Sequence, residues 1–238
     1  PYIGAREYLN SKRRWILYLD EALPSDIRSM PEVMKRVDNV RRLRLNSKSK
    51  GTRDLSKTPK KFHVTVVPNK PYLVLPESSS ERREYLPIGW LEPPTIPSNL
   101  VNVLLDATLP IFAVLTSSMH MSWLRYFGGR LKSDYRYTIG MVYNTFPFPE
   151  LTEKQETTLS AAAESILTLR KKYSSQTLSN LYNPLIMPDD LHSAHASLDR
   201  VVDKVFSSKR LHNDQDRIEC LVEKYALLLA DSIPSNNN

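Results

Sequence analysis

The chain has 238 residues, 41% of them hydrophobic, enough to bury one good core or two modest ones. Its 33 Lys and Arg outweigh 26 Asp and Glu to give +7 at pH 7, a balance that suits a polyanionic partner. A single cysteine excludes an internal disulfide and a cysteine-built zinc site, and the longest apolar stretch, 100–116, is broken by Asn102, Asp106 and Pro110, which excludes a membrane span.

In chain order, Trp15 to Tyr18 reads as a short buried strand, and Ile27 to Arg44 as a helix whose apolar side is Met30, Val33, Met34, Val37, Val40 and Leu43. The segment Lys35 to Lys61 concentrates the positive charge, with Arg41, Arg42, Lys48, Lys50 and Arg53 at its centre. This is the electrostatic footprint of a polyanion site, or else a solvated basic loop. Its second half, Gly51 to Lys61, reads as a mobile connection. Phe62 to Val67 and Tyr72 to Leu75 then form a strand pair around the turn Pro68-Asn69-Lys70-Pro71. A polar loop, Glu77 to Arg83, precedes a further strand, Tyr85 to Trp90, and a proline-rich run, Glu92 to Pro97. Ser98 opens an apolar helical stretch, and the spacing of Leu109, Phe112, Leu115, Met119, Trp123 and Phe127 predicts a second helix packed inside the domain.

The most informative segment is Gly128 to Pro149. If Leu131 to Tyr137 is extended, alternation sets Lys132, Asp134 and Arg136 on one face and Ser133, Tyr135 and Tyr137 on the other. Lysine and arginine donate to guanine acceptors in the major groove, and aspartate accepts from the amino group of cytosine, so the row has the chemistry to read a G·C pair. A surface strand with an internal salt bridge fits the same residues. Beside it, Ser117 and Ser118 offer hydroxyls to phosphate or allow tight helix packing, and Arg125 and Arg130 have guanidinium forks that suit phosphate oxygens or a domain acid.

After Pro149 every element is helical. Thr152 caps a helix from Glu153 to Tyr173, a second runs from about Asp189 to Phe206, and a third from Gln215 to Ala230. Pro147 and Pro149 stiffen the junction to this three-helix arm. The fold class is therefore α+β: a mixed sheet with packed helices over 1–149, an all-α arm over 150–232 and a disordered tail over 233–238. His192 and His195 beside Asp189, Asp190 and Asp199 have a spacing that could hold a metal. The shared periodicity with Leu191, Ala194, Leu198 and Val202 favours capping by the aspartates and packing or hydrogen bonding by the histidines. Cys220 reads as a buried helix residue in a reducing, cytoplasmic compartment.

The run LTSSMHMSWLRYFGGRLKSDYRYTIGMVYNTFPFP from Leu115, with NLYNPLIMPDDLHSAHASLDRVVDKVF from Asn180, resembles the target recognition region of MmeI-like single-chain type II restriction–modification enzymes. Pro1 to Leu19 is a weaker match to that domain's opening strand, and the start at Pro1 without a signal peptide sets the expectation of a segment from a longer polypeptide. The resemblance implies duplex DNA as partner and upstream methyltransferase and nuclease domains in the same polypeptide. It implies S-adenosylmethionine in that methyltransferase and no cofactor or catalytic residue here. It further implies that Lys132 and Asp134 read one base pair, with Arg136 as a neighbouring reader. It also sets His120 on the DNA-facing side, where a structural hydrogen bond is the other reading. The methyltransferase motif Asn/Asp-Pro-Pro-Tyr/Phe is matched poorly by Pro68 to Tyr72, which reads as a turn. A structured-RNA binder and a basic protein-interaction scaffold are the alternatives.

Overall fold

The computed structural model describes residues 1–62 and 66–232. The chain opens with β1 (Tyr2–Ile3) and the short helix α1 (Ala5–Leu9). Trp15 to Tyr18, expected as a buried strand, pairs with no strand among the described residues, and Trp15 and Leu17 are 69% and 51% exposed. Two helices, α2 (Pro24–Ser29) and α3 (Pro31–Leu45), replace the single one expected over 27–44. Pro31 has no N–H to continue α2 and holds Met30 out of the helical region, at φ −115° and ψ 91°. Of the expected apolar face only Val37 is buried. The segment read as mobile is helical too. α4 (Lys50–Asp54), capped by Ser49, runs into a 3₁₀ turn at Leu55–Lys57, and Arg44 ties this segment down by donating to the carbonyls of Leu55, Thr58 and Lys61.

Next come β2 (Tyr72–Pro76), β3 (Ser78–Ser79), β4 (Gly89–Leu91), β5 (Ile96–Pro97) and β6 (Val101–Leu105). β2 is wholly buried and lies between β4 and β6, antiparallel to both, while β1 pairs in parallel with β5. With both edges of β2 taken, it has no free side for the partner expected at 62–67; residues 63–65 themselves lie outside the described residues. β6 also stands where a helix was expected from Ser98. Val101 and Val103 are β-branched and favour the pleated surface, and Asp106, at φ 53°, turns the chain out of the strand. Of Tyr85 to Trp90, only the last two residues belong to a strand.

Thr108 and Ser117 cap α5 (Leu109–Leu115) and α6 (Ser118–Phe127), the central helices of the molecule. A Cβ on Gly128 would run into the carbonyl and side chain of Leu124, so glycine lets the chain leave α6 tightly. It then forms the hairpin β7 (Gly129–Leu131) and β8 (Asp134–Arg136), with β3 on the other edge of β8. A π-helical turn, Ile139–Tyr143, leads to α7 (Glu153–Lys172), α8 (Leu178–Leu181), α9 (Asp189–Phe206) and α10 (Asp214–Ser232). Thr152 and Gln155 form a reciprocal capping box at the start of α7. Residues 233–238, read as a disordered tail, lie outside the described residues.

These helices do not stand off as an arm. Leu159, Ala163 and Ile166 of α7, Leu198 and Val202 of α9 and Leu221 of α10 share one core with Phe112, Leu115, Met119 and Trp123. Each large apolar side chain so buried stabilises the joint by about 1.5–3 kcal/mol, which outweighs any stiffness of two prolines. Arg170 of α7 adds a polar stitch, donating to the Ile88 carbonyl and the Tyr182 hydroxyl beneath the Phe112 ring. Among the described residues the strands form three small sheets rather than a single mixed sheet. The fold is α+β with a C-terminal helical region.

Candidate nucleic-acid interface

The β7–β8 hairpin presents exposed charges of both signs. Alternation holds along β8, where Asp134 and Arg136 are exposed and Tyr135 is buried, with Tyr137 buried beyond it. Lys132 is not in that row. Lys132 and Ser133 form the two-residue turn, with positive φ (57°) at Lys132 and not at Ser133, the pattern of a type II′ hairpin turn. Ser133 is likewise at the exposed tip and not on the buried face. Lys132 therefore projects from the tip, next to the exposed face that Asp134 and Arg136 occupy.

Two of the three residues expected to read bases, Asp134 and Arg136, have a neighbour from the segment expected to be a polar loop. Arg136 donates to Glu77 at 3.0 Å, and Asp134 accepts from the Glu81 amide at 3.3 Å. β3 makes these contacts possible by pairing Ser78 with Arg136 and Ser79 with Tyr135. Three serines between Glu77 and Glu81 carry no strand signal, so the sequence holds no cue to this third strand. Arg130 lies over the Tyr135 ring at 4.1 Å and donates to the Ser133 carbonyl at 3.1 Å, bracing the turn with no domain acid as partner.

Three expected backbone contacts are buried instead. Ser117 is fully buried, donates to the Val114 carbonyl and caps α6. Ser118 gives both its amide and its hydroxyl to Asp199, each at 2.7 Å, and Tyr85 donates to the same carboxylate at 2.9 Å. His120 has no exposed surface and shares a hydrogen bond of 2.9 Å with the Tyr137 hydroxyl. Burial holds its imidazole neutral, with its pKa pushed down to about 3. Ser117 and His120 have no exposed surface, and the amide and hydroxyl of Ser118, 8% exposed, are both taken by Asp199, so none of the three offers a phosphate a free donor. Arg125 is half-buried and already engaged, donating to Asp214 and to the Glu84 carbonyl. Its fork is a strut under the hairpin.

In the basic segment, Arg41 pairs with Asp38 at 3.0 Å, and Arg53 donates to the carbonyls of Ser47 and Lys48, closing the turn before α4. Arg42, Lys48 and Lys50 are exposed and outside any ion pair among the described residues, as are Lys35, Arg36 and Lys57. At the other end of the chain His195 is buried, 2.8 Å from the Tyr182 hydroxyl and stacked on Tyr85, while exposed His192 meets Glu84 at 3.2 Å. Pro188, not an aspartate, is the N-cap of α9; Asp189 and Asp190 stand in its first turn. Asp190 accepts instead from Lys172 and Tyr173. Among the described residues no group of His, Cys, Asp and Glu gathers as a metal site. Cys220 is partly buried, its thiol near the Phe206 carbonyl, and desolvation raises its pKa. No helix among the described residues is long and apolar enough to cross a membrane.

Gly4, set between β1 and α1, gives its amide to the Glu7 carboxylate at 2.9 Å, so this strand–helix glycine has no free amide for a phosphate.

Two family models match the chain: "MmeI, target recognition domain" over residues 1–150 and "MmeI, C-terminal domain" over residues 151–232. DNA methyltransferase A of Bacillus subtilis (strain 168) is 40% identical over 224 residues, which are 94% of this chain and 25% of that protein. A solved structure of the type IIL restriction–modification enzyme MmeI in complex with DNA is similar with a TM-score of 0.94 at 41% identity, over 96% of this chain and 31% of that one. The chain spans about a quarter to a third of the length of these relatives.

Proposed function

The chain belongs to the MmeI target recognition domain family, continued by the MmeI C-terminal domain, and from that membership we propose that it reads the sequence of duplex DNA within a restriction–modification enzyme. In this reading an upstream methyltransferase domain of the same polypeptide binds S-adenosylmethionine and modifies an adenine, and a nuclease domain lies upstream as well. The present chain sets register and does no chemistry. The observation that carries the proposal is the β7–β8 hairpin, which presents Lys132, Asp134 and Arg136 as an exposed cation–acid–cation set on a well-braced turn. Lys132 donates to a guanine and Asp134 accepts from the paired cytosine, while Arg136 exchanges Glu77 for a neighbouring base. Arg42, Lys48 and Lys50 meet phosphates, with the exposed part of Arg130 on the hairpin itself. RNA platforms stack bases on adjacent exposed rings, whereas the most exposed rings here, Trp15 and Tyr126, belong to separate segments.

The test is to map methylated sites in a host expressing the full-length polypeptide, as wild type and as the Lys132→Glu, Asp134→Arg double variant. A bidentate contact discriminates by about 1–3 kcal/mol, so one G·C position of the motif should change while the rest persists. An unchanged motif moves the reading elsewhere in the chain. Loss of every motif with retained protein would favour the scaffold alternative.

A further inference from the structure

We propose that the cleft between the C-terminal half of α9 and the α9–α10 connection is a phosphodiester-binding site that grips the backbone of the duplex read by the hairpin; this rests on the DNA-reading function above. The cleft, about 550 Å³, has Tyr85, Ser118 and Asp199 at its floor and Arg200, Lys204, Lys209 and Arg210 around it. Its ionic groups are sorted by direction. Asp199 is spent on Ser118 and Tyr85, Asp203 on both nitrogens of Arg217 at 2.9 Å, Asp214 on Arg125, and Asp216 on the His212 amide. The cations left over point outward: Lys204, Lys209 and Arg210 are exposed and outside any ion pair among the described residues, and Arg200 donates only to Ser197. At the cleft's other lip, Glu84 is held by His192.

Lys204, in the last turn of α9, complements the helix dipole, but that accounts for one cation and not four. Arg200 and Lys204 are like charges four residues apart on one helix face, an arrangement that repels unless an anion joins them. The connection that brings Lys209 and Arg210 to them is fixed, since the Ser207 hydroxyl accepts from the Lys209 amide at 3.0 Å and Leu211 packs on the core. The cleft also lies within reach of the hairpin. Glu84 is three residues from Glu81, at most about 11 Å along the chain, and the Glu81 amide touches Asp134. That separation is under half a turn of duplex, about 17 Å, so one DNA segment can meet both.

The experiment uses the full-length polypeptide carrying Lys204→Ala, Lys209→Ala and Arg210→Ala, with Lys204→Arg, Lys209→Arg and Arg210→Lys as the charge-keeping control. Equilibrium binding to cognate and non-cognate duplexes is measured across a salt series, together with the methylated motif. The site predicts that the log–log salt slope shrinks by about 2–3 and that affinity falls roughly tenfold or more on both duplexes. The motif should be unchanged and the control should bind as wild type. Wild-type slope and affinity in the alanine variant, with wild type binding DNA, would overturn the cleft and leave the reading function standing. A loss confined to cognate duplex, or an equal loss in the control, would overturn it too. Failure of the wild type to bind duplex at all removes both proposals.

Discussion

Asp199 is the group whose loss should be felt most widely, because it joins α9 to the start of α6 and to the loop after β3. Its carboxylate is nearly buried and accepts three hydrogen bonds, from the Ser118 amide, the Ser118 hydroxyl and the Tyr85 hydroxyl. Burial pushes its pKa up, and the donors pull the other way. In Asp199→Ala the two hydroxyls can rotate toward other partners, but the Ser118 amide at the first turn of α6 is fixed. An orphaned buried donor costs about 1–3 kcal/mol, and the loss of bonds to a charged acceptor adds a similar amount. Relief of the buried charge offsets part of this, leaving a net cost of about 2–4 kcal/mol. For a chain of this size that lowers the melting temperature by about 5–12 °C. Asp199→Asn keeps one acceptor for the amide and should lose about half as much. Thermal unfolding of the three proteins at neutral pH decides the matter: an Asp199→Ala melt within about 2 °C of wild type would refute the claim that this carboxylate holds the joint.

Two further outcomes follow from the buried and strained groups. His120 titrates near 6.5 when unfolded and at about 3 when folded. Between those values the unfolded chain holds more protons, so stability falls as pH drops, by about 2 kcal/mol from pH 7 to pH 5 for this group alone. His120→Gln should be less stable at pH 7 yet show a correspondingly smaller loss on going to pH 5 in urea unfolding, and an undiminished loss would show that His120 is not the group titrating. Lys132 sits at φ 57°, a region that costs a non-glycine residue about 1–2 kcal/mol. Lys132→Gly should relieve that strain, less glycine's greater entropy loss, for a net gain of about 0.5–1 kcal/mol in hairpin stability. Slower amide exchange across β7 and β8 would report it, and relaxed selection at one base pair would accompany it; faster exchange would mean that the lysine is not strained.

Where the sequence read well, the signal was local. Thr152 announces α7, and the apolar period of Leu191, Leu198 and Val202 gives α9 the bounds observed, Asp189–Phe206. Where it misled, the deciding partner was remote or the usual cue was missing. Ser117 and Ser118 look like phosphate ligands until Val114 and Asp199 take them, and Asp199 is 81 residues from Ser118. Pro31 is a legible helix break that overrides the apolar period running across it. Val101 to Leu105 is an apolar run too short for period alone to separate strand from helix, and the choice fell to its pairing with β2.

The hairpin combines both situations. Gly-Arg-Leu-Lys-Ser-Asp offers neither Asn-Gly nor a glycine at the first turn position, so nothing local marks a reversal between Leu131 and Asp134, and seven residues read as one continuous strand. The turn exists because the tertiary structure over-determines it. β3 fixes one edge of β8, Tyr135 is anchored in the core, and Arg130 closes over that ring while holding the Ser133 carbonyl. Lys132 keeps its side chain at a positive φ that glycine would adopt without strain. The missing turn signal and the proposed reading role of Lys132 are then two sides of one choice: a glycine would have made the hairpin visible in the sequence and left its tip with nothing to place against a base.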